Sequence, residues 1–214
     1  MKFCVIGLGR FGYQVATTLA ENGMEVIGVD SNETIIASIR DEITQAVSMR
    51  INDEDDLKSI GADEAETVIV AMGENFAQSI LITALLKQKL KTPTVITRSI
   101  SLIHRDILRL IGADQVILPE QEVGHRLAET LSSPSKYYIK VANNFGISQL
   151  YVPDYLAEKT VKEIDLENRF NVKCIGIKVN DNEILPLEED HVVKSGDILI
   201  ISGNNKDLAQ VSRL

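Results

Sequence analysis

The chain has 214 residues, about 44% of them hydrophobic, enough for one large domain or two modest ones with a real core. Its 22 Lys and Arg against 31 Asp and Glu leave a net charge of -9, which excludes a broad cationic surface for nucleic-acid phosphates. The opening MKFCVIGLGR breaks its apolar run with glycines, and SILITALL (79–86) falls far short of the roughly 20 residues that span a bilayer, so a soluble, cytoplasmic protein is expected.

Short β-branched runs alternate with amphipathic stretches through the first part of the chain. KFCVIG reads as a strand, Arg10 to Asn22 as a helix, EVIGVD as a strand, Glu33 to Asp41 as a helix and TQAVSM as a third strand. DEDDLKSIG gives a short helix with an acidic first turn, ended by Gly61, and TVIVAM a fourth strand. Asn75 to Leu90 reads as a longer helix with Ile80, Ala84 and Leu85 on one face. TPTVITR is a fifth strand, Ile100 to Ile111 a helix stopped by Gly112, QVILP a sixth strand and Glu120 to Leu131 a last helix. Strict β-α alternation with apolar strands predicts an α/β domain, a Rossmann-like doubly wound parallel sheet over residues 1–134. LSSPSK then breaks the rhythm. YYIKVA, SQLYVP, VKCIGIKVN and GDILIISG follow as strands, with a hairpin turn at Asn180 to Asn182 leading into EILPL and a final short helix in NKDLAQVSRL. A smaller α+β domain over 135–214 is expected.

Gly7, Gly9 and Gly12 stand in G-x-G-x-x-G spacing between the first strand and the first helix. Gly7 permits the tight turn, Gly9 lets a pyrophosphate approach backbone N–H groups at a helix N-terminus, and Gly12 lets helix and strand pack closely. Asp30 closes the second strand 18 residues after Gly12, where a carboxylate accepts both ribose hydroxyls. No Arg follows it directly, which argues against a 2′-phosphate. Asn32 serves the ribose surroundings or caps the next helix, or both. Arg10 can clamp a phosphate bidentately or stand as a surface cation.

No catalyst accompanies this loop. Tyr155 and Lys159 in YLAEK match the Y-x-x-x-K spacing of short-chain dehydrogenases but lie beyond the domain break, where an exposed loop or single helical turn is expected. G-x-S-x-G, a P-loop lysine motif and a Ser/His/Asp set are all missing from the sequence. Cys4 and Cys174 sit in strand-like apolar runs and read as buried free thiols; His104, His125 and His191 stand apart from any second ligand at metal spacing. A binding protein with no enzymatic activity is expected. The alternatives are an NAD-dependent oxidoreductase and an NAD(H)-binding redox sensor.

The ordered set VIGLGRFG, EVIGVDSN, TVIVAMGENFAQSILITALL, IGADQVILPEQEVGHRLAETL and SGDILIISG resembles, over essentially the full length, the RCK-domain regulatory subunits of bacterial Ktr and Trk potassium transporters, the KtrA subgroup above all. The resemblance implies an N-terminal and a C-terminal RCK domain, ATP or ADP as ligand with NAD(H) as the alternative, and a homodimer that assembles into an octameric ring. That ring docks on a membrane potassium channel at the inner face of the membrane. It implies that Arg10 contacts nucleotide phosphates and that Asp30 and Asn32 hold ribose or adenosine, with Phe11 and Ser31 in the same matched stretches. Arg98, ending the fifth strand, is implied to reach phosphate, and Glu120 to help bind a divalent cation at the terminal phosphate. A plain alternative for Glu120 is a first-turn acid on the helix dipole. Cyclic di-AMP is the second ligand that the resemblance implies for the C-terminal domain, at its dimer interface, with Arg169, Ile175 and Pro186 as the candidate residues; core packing and a turn explain the last two equally well. DLENRFNVKCIGIKV is shorter around Arg169 than the family form.

Overall fold

The computed structural model describes residues 1–73, 75–132, 137–180 and 183–212. Two compact units divide the chain at Glu122 and Val123. The expected boundary at residues 134 and 135 lies outside the described residues.

In the first unit the strands are β1 (Lys2–Ile6), β2 (Glu25–Asp30), β3 (Gln45–Ser48), β4 (Thr67–Val70), β5 (Thr94–Arg98) and β6 (Gln115–Ile117). They form one parallel sheet in the order β3-β2-β1-β4-β5-β6, the Rossmann-like arrangement expected from the alternation. The helices between them are α1 (Arg10–Glu21), α2 (Glu33–Ile39), α3 (Glu54–Ser59), α4 (Phe76–Ala84) and α5 (Leu102–Leu110); α6 (Pro119–Ser132) follows β6 and carries the chain across the division. Central strands must be apolar on both sides because helices cover both faces. Cys4 and Ile6 accordingly join Val68 and Val70 in one buried cluster, while Val5 and Ile69 enter another. Register sets the strand ends level. Ile6 pairs with both Val29 and Val70, and Thr97 pairs with Val70, so Gly7, Asp30, Ala71 and Arg98 all emerge at the carboxyl edge.

The fourth helix departs from expectation. Its buried face is Ser79, Ile82 and Thr83, continued by Leu86, whereas Ile80, Ala84 and Leu85 are half-buried. Thr83 can lie inside because its hydroxyl donates to the Ser79 carbonyl at 2.7 Å. From Leu85 to Leu90 the helix widens into a π-turn, and Lys91 closes it in the left-handed region. Lys87 reaches from this turn to Asp114 at 2.9 Å, and Asp114 also accepts from the Val95 N–H at 2.7 Å, tying the end of the helix to the start of β5.

The second unit contains β7 (Tyr138–Ala142), β8 (Phe145–Tyr151), β9 (Val172–Asn180), β10 (Glu183–Leu185) and β11 (Ile198–Asn204), an antiparallel sheet in the order β10-β9-β11-β8-β7. The turn expected between β9 and β10 falls on residues 181 and 182, outside the described residues. Three short helices cover one face: α7 (Val161–Ile164), α8 (Leu166–Phe170) and the C-terminal α9 (Asn205–Val211). Leu150, Val172, Leu199 and Ile201 from the sheet meet Ile164, Leu166, Leu208 and Val211 from the helices in one core. Tyr155 lies in a 3-10 turn over Asp154–Leu156, the single helical turn expected there. Cys4 is fully buried, with burial pushing its thiol up to about 12. Cys174 is only half-buried, since it lines an open cleft between α7, α8 and β9.

Burial pushes the Asp114 carboxyl up, but the Lys87 ammonium and the Val95 N–H more than offset this and hold it below its ordinary 3.8. The stabilisation is therefore present above that ordinary value and is lost as pH falls through the lowered one. Asp114→Asn should lower unfolding free energy by about 1–2 kcal/mol near neutral pH. Urea titrations at successively lower pH should show the gap to the wild type closing below about pH 4.

Candidate functional site

The loop between β1 and α1 is built by its glycines. Gly7 has φ +91°, and a Cβ there would lie 2.9 Å from the Met72 side chain. At Gly12 the helix passes so close to the loop that a Cβ would sit 1.9 Å from the Gly7 carbonyl oxygen. Gly9 is different. It has ordinary extended backbone as the N-cap of α1, and a Cβ there would meet nothing within 4 Å, so the open space in front of the helix is room for a ligand. No side chain caps α1 and no acid occupies its first turn. The N–H groups of Gly9, Arg10, Phe11 and Gly12 have no intrahelical acceptor, and with the helix dipole they make an anion site.

Asp30 locks this loop from the side. Its carboxylate accepts from the Leu8 N–H at 2.7 Å through one oxygen and from the Asn32 N–H at 2.8 Å through the other. Ser31 is exposed beside it, and the Asn32 side chain caps α2 by accepting from the Thr34 N–H at 2.9 Å. Asp30 and Ser31 line a cleft of about 50 Å³ with Gly7, Met72, Arg50 and Gln78. Of these, Met72, Arg50 and Gln78 are unannounced by the glycine motif. Their signal in the sequence is only position, just beyond β3 and β4 and on the helix after β4, the edge where such sheets bind ligands. A cation thus does reach the cleft, from β3 and not from the residues after Asp30.

On the other side of the loop the Arg98 guanidinium donates to Glu120 Oε1 at 2.6 Å and lies 5.9 Å from the centre of the Phe11 ring. Gly73 makes room for it, since a Cβ there would come within 2.5 Å of Nη1. Arg98 Nε is buried without a hydrogen-bond partner. Glu120 sits in the first turn of α6, where a hydrogen bond from its own backbone N–H and the Arg98 guanidinium hold its carboxyl below the usual range. Arg10 is exposed at the start of α1, and its side chain makes no hydrogen bond or ion pair with the described residues. Loop, Asp30, Arg98 and Glu120 therefore belong to one edge of the sheet.

The histidines remain apart. His104 is fully buried, its ring centroid 4.5 Å from that of Phe76, and burial lowers its pKa. Among the described residues no group of three or more His, Cys, Asp or Glu side chains could hold a metal ion, and no helix is long and apolar enough to cross a membrane.

Of the three residues expected at a second ligand site, Ile175 and Pro186 are neighbours across the β9–β10 register, in which Leu185 pairs with Ile177. Arg169 donates to the Ile164 carbonyl at 3.1 Å and stacks on Phe170, Ile175 is exposed on β9, and Pro186 is exposed after β10. None of them lines a cleft of about 660 Å³ between α7, α8 and β9, whose lining includes Lys162, Asp165, Glu167, Lys173, Glu188 and Glu189.

Comparison with known proteins bears out the sequence resemblance. The TrkA-N domain model matches residues 3–119 and the TrkA-C domain model matches residues 148–214. The chain belongs to the RCK family. It is 32% identical over 208 residues to the Ktr system potassium uptake protein A of Bacillus subtilis (strain 168), covering 97% of this chain and 93% of that one. The GsuK channel bound to NAD superposes on the whole chain with a TM-score of 0.63 at 18% identity; this RCK chain spans 39% of that channel subunit. GsuK bound to ADP matches with a TM-score of 0.53 at 22% identity over 61% of this chain and 34% of that one.

The glycine geometry separates folding from binding. Gly12→Ala should cost about 2–3 kcal/mol of stability through overpacking against backbone, while Gly9→Ala should stay within about 0.5 kcal/mol of the wild type. Thermal or urea denaturation of the two variants checks the contrast.

Proposed function

We propose that this RCK protein is a nucleotide-sensing regulatory subunit of a membrane potassium transporter, binding ATP or ADP at the β1–α1 loop and performing no chemistry on it. In this reading the chain divides functionally at residues 134 and 135, works as a homodimer assembled into an octameric ring, and docks on the cytoplasmic face of its channel partner. The uncapped amides from Gly9 to Gly12 and Arg10 hold phosphates, and Asp30 receives the ribose. One observation carries the sensing step. Glu120 pairs with Arg98 beside the phosphate loop and stands in the first turn of α6, a helix with no buried residue, whose Val123, Leu127 and Leu131 are all exposed at four-residue spacing.

A terminal phosphate near Phe11 competes with Glu120 for the Arg98 guanidinium, so nucleotides with and without that group leave the start of α6 in different electrostatic surroundings. Such a ligand shifts the ring only by its differential affinity for the two states, and a few kcal/mol suffices. Among the described residues Glu120 pairs with Arg98 and belongs to no group of three or more side chains that could hold a metal ion, so in this reading the sensing step needs only the phosphate, Arg98 and Glu120.

Calorimetric titration with ATP, ADP, NAD and NADH tests the pocket. Adenine nucleotides should bind at micromolar affinity or better, and Asp30→Ala should weaken them at least tenfold, about 1.4 kcal/mol. Binding that is absent, or indifferent to Asp30→Ala, refutes the assignment. Potassium flux through the reconstituted transporter should respond to the nucleotide and lose that response in Arg10→Ala.

A further inference from the structure

The cleft beside Asp30 holds about 50 Å³, whereas sites that enclose a ligand of this kind hold several hundred. A purine attached to a ribose on Asp30 therefore stays at the mouth. A base held there would have the part-exposed Met72 side chain on one side, with the buried Ile51 and Ile82 beneath it, and open solvent on the other. Arg50 stands at this mouth. It lines the cleft, is exposed, and its guanidinium makes no hydrogen bond or ion pair with the described residues.

Its backbone, by contrast, is held. The Arg50 carbonyl accepts from Asn52 Nδ2 at 3.1 Å, and the next carbonyl, of Ile51, accepts from Gln78 Nε2 at 2.8 Å, which joins the end of β3 to α4. Asp30 pairs in register with Ser48, so Arg50 stands two residues beyond the partner of the ribose acid, on the side where the base must extend. An arginine without a carboxylate partner among the described residues, in a chain of net charge -9, is a free planar cation at the mouth of the cleft.

We propose that Arg50 covers the base, its guanidinium stacked on the outer face of the purine, and that this makes it a specificity-determining residue favouring purine over pyrimidine nucleotides. The inference rests on the nucleotide reading of the loop. Stacking of this kind needs a delocalised plane as well as charge, which lysine lacks.

Calorimetry with ATP, CTP, NAD and NADP on the wild type, Arg50→Ala and Arg50→Lys tests it. Both variants should bind ATP and NAD about three- to tenfold more weakly and should lose much of the preference for ATP over CTP. The deficit should persist in concentrated KCl, where contacts between exposed charges are screened. A loss confined to NADP and rescued by lysine would mark a 2′-phosphate contact and overturn the proposal, as would unchanged ATP binding in Arg50→Ala. A wild type that binds no nucleotide overturns this proposal together with the reading beneath it, whereas wild-type binding with an indifferent Arg50→Ala refutes only the role of Arg50.

Discussion

The two hydrogen bonds accepted by Asp30 organise the ligand-binding edge of the first unit. One oxygen holds the Leu8 N–H and the other the Asn32 N–H, so the carboxylate binds the turn after β1 to the entrance of α2. Leu8 is thereby removed from the set of free loop amides, and those that remain, from Gly9 to Gly12, belong to the start of α1. Gly7 and Gly12 can approach as closely as they do only while the loop keeps this path. Asp30 thus clamps the β1–α1 loop, and in the proposed reading, where it also receives the ribose, contact at one half of a nucleotide is mechanically coupled to the other.

Much of this unit was legible in the sequence because its signals are local. Glycine spacing, an acid at the end of β2 and β-branched runs each speak for themselves within a few residues. The Arg98–Glu120 pair was not legible in that way. The two residues are 22 apart, and only the pairing of Arg98 with Ile117 in the β5–β6 register brings them together; their roles came from likeness to a family. Arg50, Gly73 and Gln78 left even less trace, since nothing in their types marks a ligand and only sheet order assembles them. The face of α4 was misread for a different reason. LITALL is apolar in every direction, so its helical period does not choose a side, and the burial of Ser79 and Thr83 depends on a backbone hydrogen bond that no hydropathy pattern shows.

The second unit was legible as strands, a helical turn at Tyr155 and the C-terminal helix. α7 and α8 are too short to display a helical period, although the chain writes their boundaries: Thr160 and Glu163 form a reciprocal capping box, and Asp165, in the left-handed region at φ 50°, ends one helix and begins the next. Arg169 stands out only through likeness to a family, since nothing in DLENRFN marks a ligand. Within the chain its guanidinium satisfies the Ile164 carbonyl and so closes a helix end.

The placement of the two cysteines gives each unit its own clock. Cys4 lies at the centre of β1 with its thiol pushed up to about 12, so an alkylating reagent reaches it only when the parallel sheet opens. Cys174, half-buried on β9 in the antiparallel sheet, becomes reactive through smaller fluctuations of the other unit. The rate of Cys4 modification therefore reports the opening of the first sheet, with Cys174 as an internal reference in the same molecule.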